Sequence, residues 1–197
     1  MQITIHVKGT RPLIQHNERL ANPLDPYVRE IKKLTGLKKK TDEIIARILY
    51  LEHRAGYYET DDGLVGLPNK NVFASLKAAA RKRKLGQQLE MALRFDIESV
   101  APLKIDGRTW KPEAHMKLDQ SLLYVGVRNK NNRVMRARPK MDDWQSDHQF
   151  ELDECLFNLD ELRDIAAIAG NDVGLCDWRP RFGTFEATVT NGKVTRR

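Results

Sequence analysis

A chain of 197 residues with 41% hydrophobic and 31% charged side chains can bury a core, which excludes global disorder and fits one domain, or a domain with one sizeable insertion. Thirty-four Lys and Arg against 27 Asp and Glu give a formal net charge of +7, a balance that favours polyanionic partners. The two cysteines, Cys155 and Cys176, form no CxxC and argue against a disulfide scaffold or a zinc site; the opening MQITIHVKGT lacks the apolar core of a signal peptide, and no run approaches ~18 apolar residues, so a cytoplasmic chain without a membrane partner is expected.

In chain order, Ile3, Ile5 and Val7 alternate with polar residues and predict a strand over 2–7, ended by Gly9-Thr10-Arg11-Pro12. Residues 22–54 read as a helical insertion. Pro26 starts one helix running to about Leu34, and Thr41 caps a second that carries Ile44, Ile45, Ile48, Leu49 and Leu51. Turn residues between 56 and 68 flank short strands at Tyr57-Tyr58 and Leu64-Val65. A long helix is predicted from Asn71 to Leu85, with Lys77, Arg81 and Lys84 on one stripe away from its apolar face. Residues 95–150 are β-rich, with Leu122–Val127 and Arg133–Arg138 as a hairpin whose tip is Asn129-Lys130-Asn131-Asn132. Asn158-Leu159-Asp160-Glu161 is a capping-box start to a helix ending at Gly170, and Thr184–Thr190 is the last strand. This order gives an α+β fold: a ferredoxin-like or RRM-like βαββαβ core with a helical insertion and a central β-hairpin, one sheet face being left free to bind.

The charge is unevenly placed. Lys70, Lys77, Arg81, Lys82, Arg83 and Lys84 fall within residues 70–84, and Arg128, Lys130, Arg133, Arg136, Arg138 and Lys140 within 128–140; neither band contains an acidic residue. One such band is an ordinary solvated basic face, but two in one chain favour a binding surface. The segment Gly174-Leu175-Cys176-Asp177-Trp178-Arg179-Pro180-Arg181-Phe182-Gly183 combines glycines, arginines that suit phosphates and aromatics that suit bases. The alternative is a tight connection in which Trp178 and Phe182 plug the core.

A Gly-rich, Arg-containing loop just before a terminal strand resembles the RAMP superfamily, the RRM-like proteins of CRISPR effector backbones. Leu67-Pro68-Asn69-Lys70-Asn71-Val72-Phe73-Ala74-Ser75-Leu76-Lys77 is similar to the run that leads into that family's first core helix, and Ile3–Pro12 to its first strand and turn. Asn69 and Phe73 depart from the usual Gly and Lys, and Cys176 and Pro180 stand where more glycine is usual. The resemblance implies a single RAMP-like domain over 1–197, with hairpin 121–140 as a thumb on the bound strand. It is short for an effector subunit that binds guide RNA, so a stand-alone phage or mobile-element protein is an equal expectation.

The function expected is largely sequence-independent binding of single-stranded RNA or DNA, with the chain polymerising along the strand or forming another homo-oligomer. Phosphate contacts are assigned to Lys70, Lys77, Arg81, Lys84, Arg128, Lys130, Arg133, Arg136, Arg138, Arg179 and Arg181, and stacking to Trp178 and Phe182. The five histidines, His6, His16, His53, His115 and His148, show no metal or triad spacing, so no catalytic residue, metal or cofactor is expected. The competing readings are an endoribonuclease of the same fold, with His16 or Asp142-Asp143 to be tested, and a module whose basic bands bind an acidic protein.

Overall fold

A computed structural model describes residues 1–129 and 132–192. Its elements in chain order are β1 (Gln2–Gly9), β2 (Leu13–Ile14), α1 (Pro26–Thr35), α2 (Asp42–Ala55), β3 (Gly66–Pro68), α3 (Asn69–Lys82), α4 (Gly86–Ala92), β4 (Leu93–Arg94), β5 (Val100–Pro102) and β6 (Lys104–Ile105). There follow β7 (Arg108–Thr109), α5 (Pro112–His115), β8 (Leu122–Asn129), β9 (Asn132–Met141), β10 (Trp144–Leu152), α6 (Leu159–Ile168) and β11 (Phe185–Asn191). The architecture is α+β with antiparallel sheets.

Alternation determines how β1 sits. Ile3, Ile5 and Val7 are fully buried while Gln2, His6 and Lys8 reach the other face, because successive side chains leave a strand on opposite sides. Both edges of β1 are paired: Ile5 faces His148 of β10 on one side and Val189 of β11 on the other. The outer edge of β10 meets β4 at Glu151-Leu152 and β6 at Trp144-Gln145. On the apolar face, Val72, Leu76, Ala79 and Ala80 of α3 join Leu162, Ile165 and Ala166 of α6 over the β1 side chains, the three- and four-residue spacing of each helix putting these on one side. The opposite face of β1, β10 and β11 carries Gln2, Thr4, His6, Lys8, Gln145, Asp147, Gln149, Glu151, Glu186, Thr188 and Thr190. None of these residues is Phe, Tyr or Trp, so the face left open by the helices offers no base-stacking platform of the RRM kind.

Three of the differences from the sequence expectation change more than a residue or two at an element's end. The long helix stops at Lys82, and Lys84 takes φ 63°, so the chain turns and α4 packs back with Leu89 and Ala92 buried. Lys84 therefore leaves the stripe of Lys77 and Arg81. At the end of α6 the chain continues through a wide turn, Ala169–Val173, and Gly174 at φ 76° ends it, not Gly170. Gly170 answers a different need: a Cβ there would lie 2.0 Å from the Phe185 carbonyl oxygen. At 57–65 a single bridge, Glu59 to Val65, replaces the two short strands.

Residues 22–54 divide in two. α1 buries none of its residues, whereas α2 buries Ile48, Leu51, Glu52, His53 and Ala55 against the sheet formed by β2, β9 and β8. β2 pairs at Leu13↔Met141 and Ile14↔Lys140 and the Gln15 amide donates to Pro139 O at 3.1 Å, after which β9 would present a bare edge. Glu52 takes the strand's place: its carboxylate accepts the Ala137 amide at 3.1 Å and an Arg136 guanidinium hydrogen bond. With Glu52 3% exposed, Glu52→Ala strands a guanidinium and an amide and should cost about 3 kcal/mol in denaturant unfolding, with little effect expected from Glu43→Ala on the same helix.

Of three buried imidazoles, His53, His115 and His148, two set the acid limit most strongly. Burial pulls His53 down to about 4 and His148 to about 3. The unfolded chain takes up these protons near pH 6.5 and the folded one does not, so the stabilisation is complete above 6.5 and declines as pH falls toward 4. Stability at pH 5.5 should be about 2–3 kcal/mol below that at pH 7.5. Equal stability at the two values would mean that neither ring is buried neutral.

Candidate nucleic-acid interface

Ion pairs, all but one with carboxylates from other segments, reach most of the two basic bands. Lys70 pairs with Glu18, Lys77 with Glu90, Lys82 with Asp172 at 3.0 Å and Arg83 with Asp164 at 3.1 Å. In the second band Arg136 pairs with Glu52, Arg138 with Asp177 at 3.3 Å and Lys140 with Asp142 at 2.8 Å. Seven of the twelve are thus neutralised locally. Arg81 and Lys84 are exposed. The side chains of Arg128 and Arg133, and all of Lys130, lie outside the described residues. Arg138 is only 8% exposed and works as an internal strut between β9 and the 174–183 loop.

That loop is the most tightly specified surface feature. Its ends close on each other, the Leu175 amide donating to the Gly183 carbonyl at 2.8 Å. It is also tied to the turn after β1: the Gly183 amide donates to Pro12 O at 2.8 Å, the Asp177 amide to Ile14 O at 3.0 Å, and the Thr10 amide to Thr184 O at 2.9 Å. From α3 the Ser75 hydroxyl donates to Gly174 O at 2.9 Å. Gly183 stands at φ 70°, where a Cβ would meet Leu175 O at 2.2 Å, so no other residue fits without moving the backbone. Cys176 and Trp178 also hold left-handed φ values of 59° and 58°, conformations that cost of order 1–3 kcal/mol each and persist where surroundings impose them.

The loop turns charge and aromatic surface outward. Arg179 and Arg181 are exposed, as is Arg11 in the turn hydrogen-bonded to it, and none of the three makes an ion pair among the described residues. Trp178 is 43% exposed, with its ring 6.2 Å from that of half-buried Phe182. Trp178 is therefore no core plug; Leu175 and Phe185, both buried, fill that place. Beside the loop, His16, Tyr58, Asn71, Ala74, Cys176, Asp177 and Arg179 line a cleft of ≈ 200 Å³.

The cleft is poor in reactive groups. Burial pushes the Tyr58 phenol and the Cys176 thiol each up to about 12, so both stay protonated at neutral pH. Partial desolvation in the cleft and the nearby Arg138 guanidinium hold the otherwise exposed His16 below the usual imidazole value. Asp177, its carboxylate, is engaged by Arg138. What remains is a guanidinium, an amide and an imidazole, donors and acceptors that suit a phosphate or base edge better than bond cleavage. Among the described residues no three His, Cys, Asp or Glu side chains converge as metal ligands, and no helix is long and apolar enough to cross a membrane. Asp142 and Asp143 lie in the β9–β10 turn, Asp142 held by Lys140 and the Asp143 carbonyl accepting the Asp106 amide.

Arg11 is the residue that sequence reasoning did not single out: in the linear pattern it is one letter of a strand-ending turn, and only the hydrogen bonds to 183–184 bring it to the loop. No protein-family model matches this chain, and no curated protein is detectably similar to it.

Two substitutions separate surface from scaffold. Trp178→Ala, at an exposed ring, should leave the melting temperature within about 2 °C of the parent, since surface changes stay within ~0.5 kcal/mol. Arg138→Ala, which leaves Asp177 unpaired and removes a buried strut, should lower it by about 5–10 °C.

Proposed function

We propose that this chain is a RAMP-like, single-stranded nucleic-acid-binding protein of the cytoplasm, which grips its ligand through the 174–183 loop and the turn at Thr10–Pro12. The observation that carries the reading is a loop held by hydrogen bonds at both ends that presents Arg179, Arg181 and Trp178 to solvent, with Arg11 alongside and no ion pair to these cations among the described residues. Guanidinium groups on a fixed backbone suit phosphates, and an exposed indole suits an unstacked base, which a duplex hides. Arg81 and Lys84 are further exposed cations for the strand's path.

The topology supports a ferredoxin-like core. β1, α3 and β4 make a split β-α-β unit with β10 between its two strands, and α6 returns the chain to β11 on the far side of β1. In this reading the insertion 22–54 and the hairpin of β8 and β9 are additions to that core. Repetition of the same contact along a strand would give a filament of copies, each covering a few nucleotides.

Fluorescence anisotropy with a labelled single strand tests this. If about 4 phosphates are neutralised per subunit, log affinity should fall with log salt at a slope of roughly −3. Arg179→Glu with Arg181→Glu should weaken binding to all sequences alike and flatten the slope by about 1.4, while Trp178→Ala should cost about 1–3 kcal/mol of binding with its melting temperature unchanged. Equal affinity for duplex and single strand, or a slope untouched by the double substitution, would favour an acidic protein as the partner. RNA cleavage abolished by His16→Ala would make the chain an endoribonuclease.

A further inference from the structure

The end of α1 and the turn into α2 carry charge that the fold leaves uncompensated. Residues 29–41 hold six cations, Arg29, Lys32, Lys33, Lys38, Lys39 and Lys40, and one carboxylate, Glu30, so five of the chain's net seven positive charges fall in this run. All six are exposed, and none makes an ion pair among the described residues. Glu30 is held by Arg47 of α2 at 2.8 Å and offsets none of them. Asp42 and Glu43 follow in the first turn of α2, where the helix dipole favours anions, and neither pairs with these lysines.

Helix formation accounts for only part of this pattern. Lys32 and Lys33 lie in the last turn of α1, where the dipole favours cations, yet Arg29, Lys32 and Lys33 share one face at i, i+3 and i+4 and repel one another. α1 buries none of its residues, so core packing sets little against that repulsion. Lys38, Lys39 and Lys40 belong to no helix or strand; Lys40 donates to the Leu37 carbonyl oxygen at 3.1 Å, which leaves its charge in place. The position of the turn is fixed by α2, whose 14 residues at about 1.5 Å each put it about 20 Å from Gly56. The Gly56 carbonyl accepts the Asn17 amide at 3.1 Å, one residue from His16 in the cleft beside the 174–183 loop.

We propose that this turn is a second phosphate contact for the single strand held at the 174–183 loop, an inference that rests on the nucleic-acid reading of that loop. A stacked strand carries one charge about every 3.4 Å, so a strand running from the loop along α2 reaches the turn after about six nucleotides. Lysine ammonium groups meet such a repeating charge in any register, whereas an acidic protein would need carboxylates placed to match. The turn therefore adds affinity only for strands long enough to touch both places.

Fluorescence anisotropy on the full chain tests this with two labelled thymidine oligomers, one of about 5 nucleotides, which covers the loop alone, and one of about 12, which reaches the turn. Lys38→Ala, Lys39→Ala and Lys40→Ala together should weaken the longer oligomer about tenfold and flatten its salt slope by about 2, at roughly 0.7 per contact, and leave the shorter one unchanged. The three lysines being exposed, the melting temperature should stay within about 2 °C of the parent. Arg94→Ala, Lys104→Ala and Lys111→Ala together remove the same charge from other exposed positions and should leave both affinities within about twofold. If the parent binds both oligomers and the turn variant weakens neither, weakens both equally or does no more than the control, this inference falls and the loop reading stands; if the parent binds neither, both fall. Binding to phosphatidylserine vesicles that needs these lysines, with the longer oligomer unaffected, would overturn it in favour of a membrane surface.

Discussion

Because β1 is hydrogen-bonded along both edges, the chain has no freedom in where it leaves the sheet. It emerges at Gly9, opposite Phe185 where β11 begins, and the Thr10 amide immediately donates to Thr184. The turn that follows and the connection that precedes β11 are thereby forced into contact, although more than 170 residues separate them. Everything at the loop surface depends on this meeting. Gly183 is held by Pro12, Asp177 by Ile14, and the left-handed residues between them are pinned from both ends.

Much of the framework could be read from periodicity. Two-residue alternation in 3–7 and 185–189, and helical spacing in 72–80 and 162–166, are local signals, and the structure buries those residues together. The capping box at Asn158 is also local, and it forms, Asn158 Oδ1 accepting the Glu161 amide at 2.7 Å. What could not be read depends on distant partners. The break at Lys84 follows from burial of Leu89, and the glycine at 170 from a carbonyl fifteen positions later.

Charge was the least legible layer. A stretch without acidic residues looks unbalanced along the chain, yet Glu18, Glu90, Asp164 and Asp172 come from four other segments to meet the first band. Glu52 and Asp177 likewise arrive from α2 and the terminal loop to meet the second. Linear charge density overstates a field that folding partly offsets. Of the cations left over, Arg81 and Lys84 lie in the first band, whereas Arg11, Arg179 and Arg181 lie outside both; two of these were visible for their aromatic neighbours, and Arg11 had no such flag.

The carboxylate of Glu52 at the edge of β9 makes the helix and the hairpin depend on each other. A hairpin strand brings a raw edge that invites pairing with any other strand. Here the remedy resides in a different element, the helix preceding it by some eighty positions, and neither is self-sufficient: the helix would carry a buried anion without its hairpin, and the hairpin an unshielded margin without its helix. The two therefore constitute one transplantable unit. Deleting either means excising both together, and grafting the hairpin onto another scaffold means transplanting the helix with it.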